Sequence, residues 1–239
     1  MPETHLYGPL QLAPTPSRPL LGVTVLVVED SRFACEALRL LCLRSGARVR
    51  RADCLKSARR HLRVYRPSVI IVDQGLPDGS GLDLIRELIS TSPRVPVILG
   101  TSGDRDAEDA ALDAGADGYL PKPIESLAFF QQAVVARMPE DLRPVGLGLP
   151  SDELIRPDPI AYQDDMAHAA DVLSDIEDTK ALDYVAQFVG GVARSAADEP
   201  LAKAAQELAD ARKNGRPVAF FAAQVAGLVQ TRLQDRRVV

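Results

Sequence analysis

Cysteine is scarce in this chain: Cys35, Cys42 and Cys54 are the only three in 239 residues, an odd set without CxxC spacing. Neither a disulfide framework nor a thiolate metal site can organise the fold, and buried thiols in a reducing cytoplasm are expected. Long apolar runs are missing as well. The best candidates are broken by Glu29 and Asp30 or by Gly190 and Gly191, well short of the roughly 20 residues a membrane-spanning helix needs. A soluble, cytoplasmic protein with no membrane partner is expected. The first twenty residues have neither a basic start nor a continuous apolar stretch, so no signal peptide is predicted. With Pro2, Pro9, Pro14, Pro16 and Pro19 in that segment, residues 1–20 read as a disordered tail.

What is present is ordinary globular material, 46% hydrophobic and 26% charged, enough for two modest cores. From Leu21 to Met138 short apolar, β-rich runs alternate with amphipathic stretches, the signature of βαβ units around a parallel sheet. Strands are predicted at Val23 to Val28, Ala47 to Arg51, Ser68 to Val72, Val95 to Leu99 and Gly118 to Leu120. Helices fall between them at Ser31 to Ser45, Leu55 to Tyr65, Gly81 to Thr91, Arg105 to Ala114 and Glu125 to Arg137. Five βα units make one doubly wound α/β domain over residues 21–138, whose functional crevice lies beyond the carboxyl ends of its strands.

Residues 139–159 hold Pro139, Pro144, Gly146, Gly148, Pro150, Pro157 and Pro159, too many breakers to continue a helix, and read as a linker. Residues 160–239 then carry four amphipathic helices, Ile160 to Glu177, Lys180 to Ser195, Glu199 to Lys213 and Val218 to Gln234. Asp158, Thr179 or Asp178, and Asp198 are the N-cap candidates, and Gly215 with Pro217 separates the last two helices. Tyr162, Met166, Ala169, Leu173 and Ile176 form one apolar stripe, so an all-α four-helix bundle is predicted.

The chemistry concentrates at strand ends. Glu29 and Asp30 follow the first predicted strand and Asp73 follows the third. Carboxylates gathered there repel one another unless a cation is shared among them. Magnesium suits such a set, being hard and oxygen-seeking. Thr101 and Ser102 close the fourth strand and Lys122 the fifth, a hydroxyl and an ammonium able to hold a transferred phosphoryl group.

The stretches VLVVEDS, IIVDQGLPDGSG, PVILGTS and GADGYLPKP resemble, in order and spacing, the signature segments of bacterial two-component response-regulator receiver domains of the chemotaxis-regulator type. The resemblance spans about half the chain. It implies a flavodoxin-like strand order, Asp73 as phosphoacceptor, and Mg2+ held by Glu29, Asp30, Asp73 and the main-chain carbonyl of Gly75. Thr101 would hydrogen-bond the phosphoryl group, Lys122 would pair with it, Tyr119 would turn inward on activation, and the Lys122–Pro123 bond would be cis. A histidine kinase or histidine phosphotransfer protein would be the donor. Beyond its own phosphorylation and dephosphorylation no enzyme activity is implied. Two positions depart from the pattern. Gly75 has no side chain where relatives often control the access of water to the phosphoryl group, and Ser102 replaces a small apolar residue.

The output of residues 160–239 stays open. Basic and acidic residues balance over residues 1–144, so the net charge of −5 falls on the remainder. That argues against a DNA-binding output, which needs clustered Lys and Arg. The arginines between Arg44 and Arg66 read as a solvated helix face, and Arg232, Arg236 and Arg237 suit a helix C-terminus. His168 on a bundle helix is similar to the site of histidine phosphotransfer domains, but Asp171 stands where those have lysine. A protein-interaction or dimerisation module, a transcriptional regulator with a helical DNA-binding domain, and a phosphotransfer or phosphatase module are the three readings, the first favoured by the acidity and by the lack of catalytic clusters.

Overall fold

The computed structural model describes residues 13–104, 107–140, 143, 152–174 and 179–235. Five parallel strands, β1 (Thr24–Val28), β2 (Arg48–Ala52), β3 (Val69–Asp73), β6 (Val97–Ser102) and β7 (Gly118–Pro121), form one sheet in the order β2-β1-β3-β6-β7. A short antiparallel hairpin, β4 (Gly75–Leu76) with β5 (Gly79–Ser80), follows β3 and was not legible in the sequence. The strand order reverses between β1 and β3. The crevice of a doubly wound fold lies at that point.

Helices α1 (Arg32–Arg44), α2 (Leu55–Val64), α3 (Gly81–Ile89), α4 (Ala107–Asp113) and α5 (Leu127–Val135) cover the two faces. At α1 and α5 a short polar side chain offers an acceptor at the start. Ser31 accepts from the Ala34 amide and Ser126 from the Phe129 amide, satisfying donors the first helical turn leaves free. Every residue of β3 is buried, as expected of a strand covered on both faces. One apolar cluster unites β-strand side chains with Leu38, Leu41 and Phe130, and a second joins them to Leu84, Ile85 and Ala111.

The boundaries differ from the composition reading at two places. Residues 1–12 lie outside the described residues, but the ordered chain begins before Leu21: Leu20 is fully buried in the first cluster, and its burial removes apolar surface from water, which proline content upstream does not oppose. The segment expected as a linker is also partly built in. Ile155 is buried in the same cluster, its amide donates to the Glu125 carbonyl (2.8 Å), and the Leu127 amide donates to the Glu153 carbonyl (3.0 Å). Pro144, Gly146, Gly148 and Pro150 lie outside the described residues.

Helices α6 (Pro159–Ser174), α7 (Thr179–Ser195), α8 (Glu199–Lys213) and α9 (Ala219–Gln234) follow. They share a third apolar cluster that includes Met166, Ala169, Val189, Leu201 and Val225. Asp198 caps α8 and is gripped by Arg232 (2.7 and 2.9 Å) and by the Tyr162 hydroxyl (2.8 Å), tying α6 and α9 to the α7–α8 turn. Ile176 and Asp178 fall outside the described residues. Among the described residues no helix is long and apolar enough to cross a membrane. Cys35 and Cys42 are buried and unpaired.

Candidate functional site

The sheet register brings the strand-end residues to one mouth. Asp73 pairs in register with Thr101 and Val28 with Val72, so Glu29, Asp30, Asp73 and Thr101 sit side by side. Lys122 follows β7, and its ammonium bridges Glu29 Oε2 (2.7 Å) and Asp73 Oδ1 (2.9 Å) while nearly inaccessible to solvent. The Lys122–Pro123 bond is cis. Glu29 Oε1 accepts from the Ser31 amide (3.2 Å), and Asp73 Oδ2 from the Gly75 amide (3.2 Å).

Glu29, Asp30 and Asp73 each offer a carboxylate oxygen, all within 4.8 Å of one another. An all-oxygen set of this kind fits a hard divalent cation. The electrostatics show its cost without one. Burial, opposed by Lys122 and reinforced by Asp73, pushes the Glu29 carboxyl up to about 8. Burial and the neighbouring Asp73 charge push Asp30 up to about 7. Burial works against the Lys122 ammonium, yet Asp73 and Glu29 outweigh it and hold that group above its ordinary range.

Thr101 donates to the Leu120 carbonyl (2.7 Å) rather than to Asp73. Tyr119 is already buried, its hydroxyl donating to the Ser102 carbonyl (3.0 Å), and burial raises its ionisation to about 12. Ser102 accepts from the Asp104 amide (3.1 Å) and so shapes the β6–α4 loop. His168 lies outside this cluster, with its ring nitrogen 3.2 Å from the Tyr184 hydroxyl.

Residues 25–133 match the response regulator receiver domain family. This chain carries a response regulator receiver domain. Similar curated proteins are the KDP operon transcriptional regulatory protein KdpE of Escherichia coli, 39% identical over 42% of this chain and 44% of its own length, and the response regulator MprA of Mycolicibacterium vanbaalenii, 36% identical over 51% and 54%. The chain thus spans about half the length of the curated relatives it matches. Among solved structures, a response regulator from Burkholderia pseudomallei with a phosphorylated aspartic acid, calcium ion and citrate is 29% identical over 50% of this chain and 68% of that one, with a TM-score of 0.41.

The receiver's mouth is also lined by residues of α6 and α7 that sequence reasoning missed. Buried Asp165 accepts from the Ser31 hydroxyl (2.7 Å) and from the amides of Arg32 (2.8 Å) and Phe33 (3.0 Å), capping α1 from the other half of the chain. Tyr184 donates to Asp30 Oδ2 (2.8 Å), and Arg194 to Asp104 Oδ1 (2.9 Å). Only Asp165 had a signal. It lies three residues after Tyr162 and four before Ala169, on the apolar stripe itself, where an unpartnered acid would be costly.

Proposed function

We propose that this chain is a two-component response regulator that accepts a phosphoryl group on Asp73. The observation that carries the reading is Asp73 at the end of β3, 2.9 Å from a buried lysine and grouped with two further carboxylates. Glu29, Asp30, Asp73 and the Gly75 carbonyl would hold Mg2+, which when bound neutralises charge on the transferred phosphoryl oxygens. An Asp73 carboxylate oxygen attacks phosphorus, the bond to the donor nitrogen breaks, and the acyl phosphate forms. Lys122 then trades part of its pairing with Asp73 for the phosphoryl oxygens, and the Thr101 hydroxyl leaves the Leu120 carbonyl to donate to them. The donor is a histidine kinase or histidine phosphotransfer protein, and the reaction takes place in the cytoplasm.

Metal dependence tests this. Chelator should abolish labelling of Asp73 by phosphoramidate, and normal labelling in its presence would remove the metal from the scheme. The raised Asp30 and Glu29 values also fix the pH response. Below about 7 the metal-free site carries protons that the ion must displace, so apparent Mg2+ affinity should fall as pH drops from 8 to 6, by roughly tenfold per unit for each proton displaced. Calorimetric titration in buffers of different ionisation enthalpy reads both affinity and proton release. An affinity flat across that range would contradict the assignment.

The helical half acts as a protein-interaction or dimerisation module in this reading, supported by its net acidity. The transcriptional alternative draws support from relatives such as the one named KDP operon transcriptional regulatory protein. No salt-sensitive gel shift is expected for the full chain at physiological ionic strength, and observing one would promote that alternative.

A further inference from the structure

Helix α7 crosses the mouth of the acceptor site, fixed at both ends by side chains of its own. The Tyr184 hydroxyl holds Asp30 and the Arg194 guanidinium holds Asp104. Between these anchors, the side chain of Gln187 lies over Gly75: a β-carbon on residue 75 would clash with the Gln187 amide carbon and nitrogen. The missing side chain at position 75 is therefore filled from the other half of the molecule. Phe188 and Val192 are buried beside it, and the space they leave around Asp73 and Lys122 has a volume of about 10 Å³. That is room for a single water. A phosphoryl group, with three acceptor oxygens around phosphorus, does not fit there while α7 is seated.

The same approach is the one a phosphodonor needs. A histidine that passes a phosphoryl group to Asp73 must come from outside the strand ends, the side on which Gln187 lies over Gly75. Building on Asp73 as the phosphoacceptor, we propose that α7 is a tethered stand-in for the phosphodonor, with Gln187 occupying the place where the donor's histidine must come. The lone pair of an amide nitrogen is delocalised into its carbonyl, so Gln187 seats at the acceptor without being able to carry the group. A donor in solution and α7 compete for one surface, and binding of either excludes the other.

Two sets of full-chain variants test the idea, with phosphoramidate and Mg2+ as the probe and the mass shift on Asp73 as the readout. Combining Tyr184→Phe with Arg194→Ala removes both anchors and should raise the initial labelling rate at least about tenfold, the effect of losing one charge-assisted hydrogen bond alone. An unchanged rate overturns the proposal. Gln187→His should turn the stand-in into a donor. Phosphoramidate then phosphorylates the introduced imidazole and releases ammonia, and transfer from the ring-protonated phosphoimidazole breaks that P–N bond as the P–O bond to Asp73 forms, the electron pair staying on nitrogen so that the imidazole leaves neutral. Label on the imidazole, acid-labile and stable in alkali, should decay at least about tenfold faster with Asp73 present than in Gln187→His/Asp73→Asn. Equal lifetimes overturn the proposal. Circular dichroism checks that the variants fold, and the anchor pair decides alone if Gln187→His does not. Absence of label on Asp73 in every chain removes the phosphoacceptor reading and this inference together, whereas Asp73 labelling with equal rates removes the inference alone.

Discussion

Replacing Asp73 by Asn should eliminate the hydroxylamine-sensitive adduct formed with phosphoramidate and Mg2+, a loss limited only by detection. The side chain is nearly isosteric, so the Gly75 amide keeps an acceptor at 3.2 Å and the fold should persist. What disappears is the nucleophilic carboxylate and one negative charge of the cluster. Glu29 and Asp30 are no substitutes. Glu29 is held by Lys122 and the Ser31 amide, and Asp30 is engaged by Tyr184. Full labelling of Asp73→Asn, located by peptide mass, would place the acceptor elsewhere. The variant should also be more heat-stable than the parent in metal-free buffer at pH 8. Asp73 raises the cost of ionising both neighbours, and acids with raised native values lose stability as pH rises from their unfolded values, near 4, toward 7 and 8.

The second large effect is structural. Asp165 is 2% exposed and takes three hydrogen bonds from the start of α1. Truncating it to Ala leaves two main-chain amides of Arg32 and Phe33 without that acceptor and removes a three-bond polar tie between the halves. Burial raises its carboxyl, opposed by those same donors, so the bonds are made against a desolvation cost. The expected loss is about 3 kcal/mol, the scale of hydrogen bonds to a charged group. Calorimetry should show one unfolding transition for the parent and a broadened or split one for the variant, as the halves come apart. An unchanged thermogram would mean that α6 is held by its apolar contacts alone. The exposed Arg32–Asp164 pair beside it should contribute little by comparison.

The strand ends were legible because the sheet converts sequence into position. A polar residue immediately after an apolar run of alternating βα units can only sit at the carboxyl edge, and Glu29, Asp30, Asp73, Thr101 and Lys122 all obey that rule. Strand limits shifted by at most one residue except at β6, which starts two residues later than expected and runs three further, to Ser102, because Thr101 and Ser102 still pair with β7. The β4–β5 hairpin escaped notice since two residues per strand leave no period to read. Tyr184, Gln187 and Arg194 escaped for a different reason. Tyr184 lies 154 residues from its partner Asp30 and Arg194 lies 90 from Asp104, and nothing in a helix's own pattern names what docks against its polar face.

The anchoring of Ile155 sets a length scale for the whole molecule. Ile155 is buried in the receiver core and α6 begins at Pro159, so four peptide steps connect a fixed point on one half to the first helix of the other. Fully extended, they reach roughly 14 Å. A tether that short keeps the helical half at an effective concentration on the order of millimolar at its docking surface. On the proposed reading of α7, a phosphodonor dissolved at micromolar levels would meet a rival about a thousandfold more concentrated. The length of four residues would then be a setting for how much donor the receiver requires before it answers.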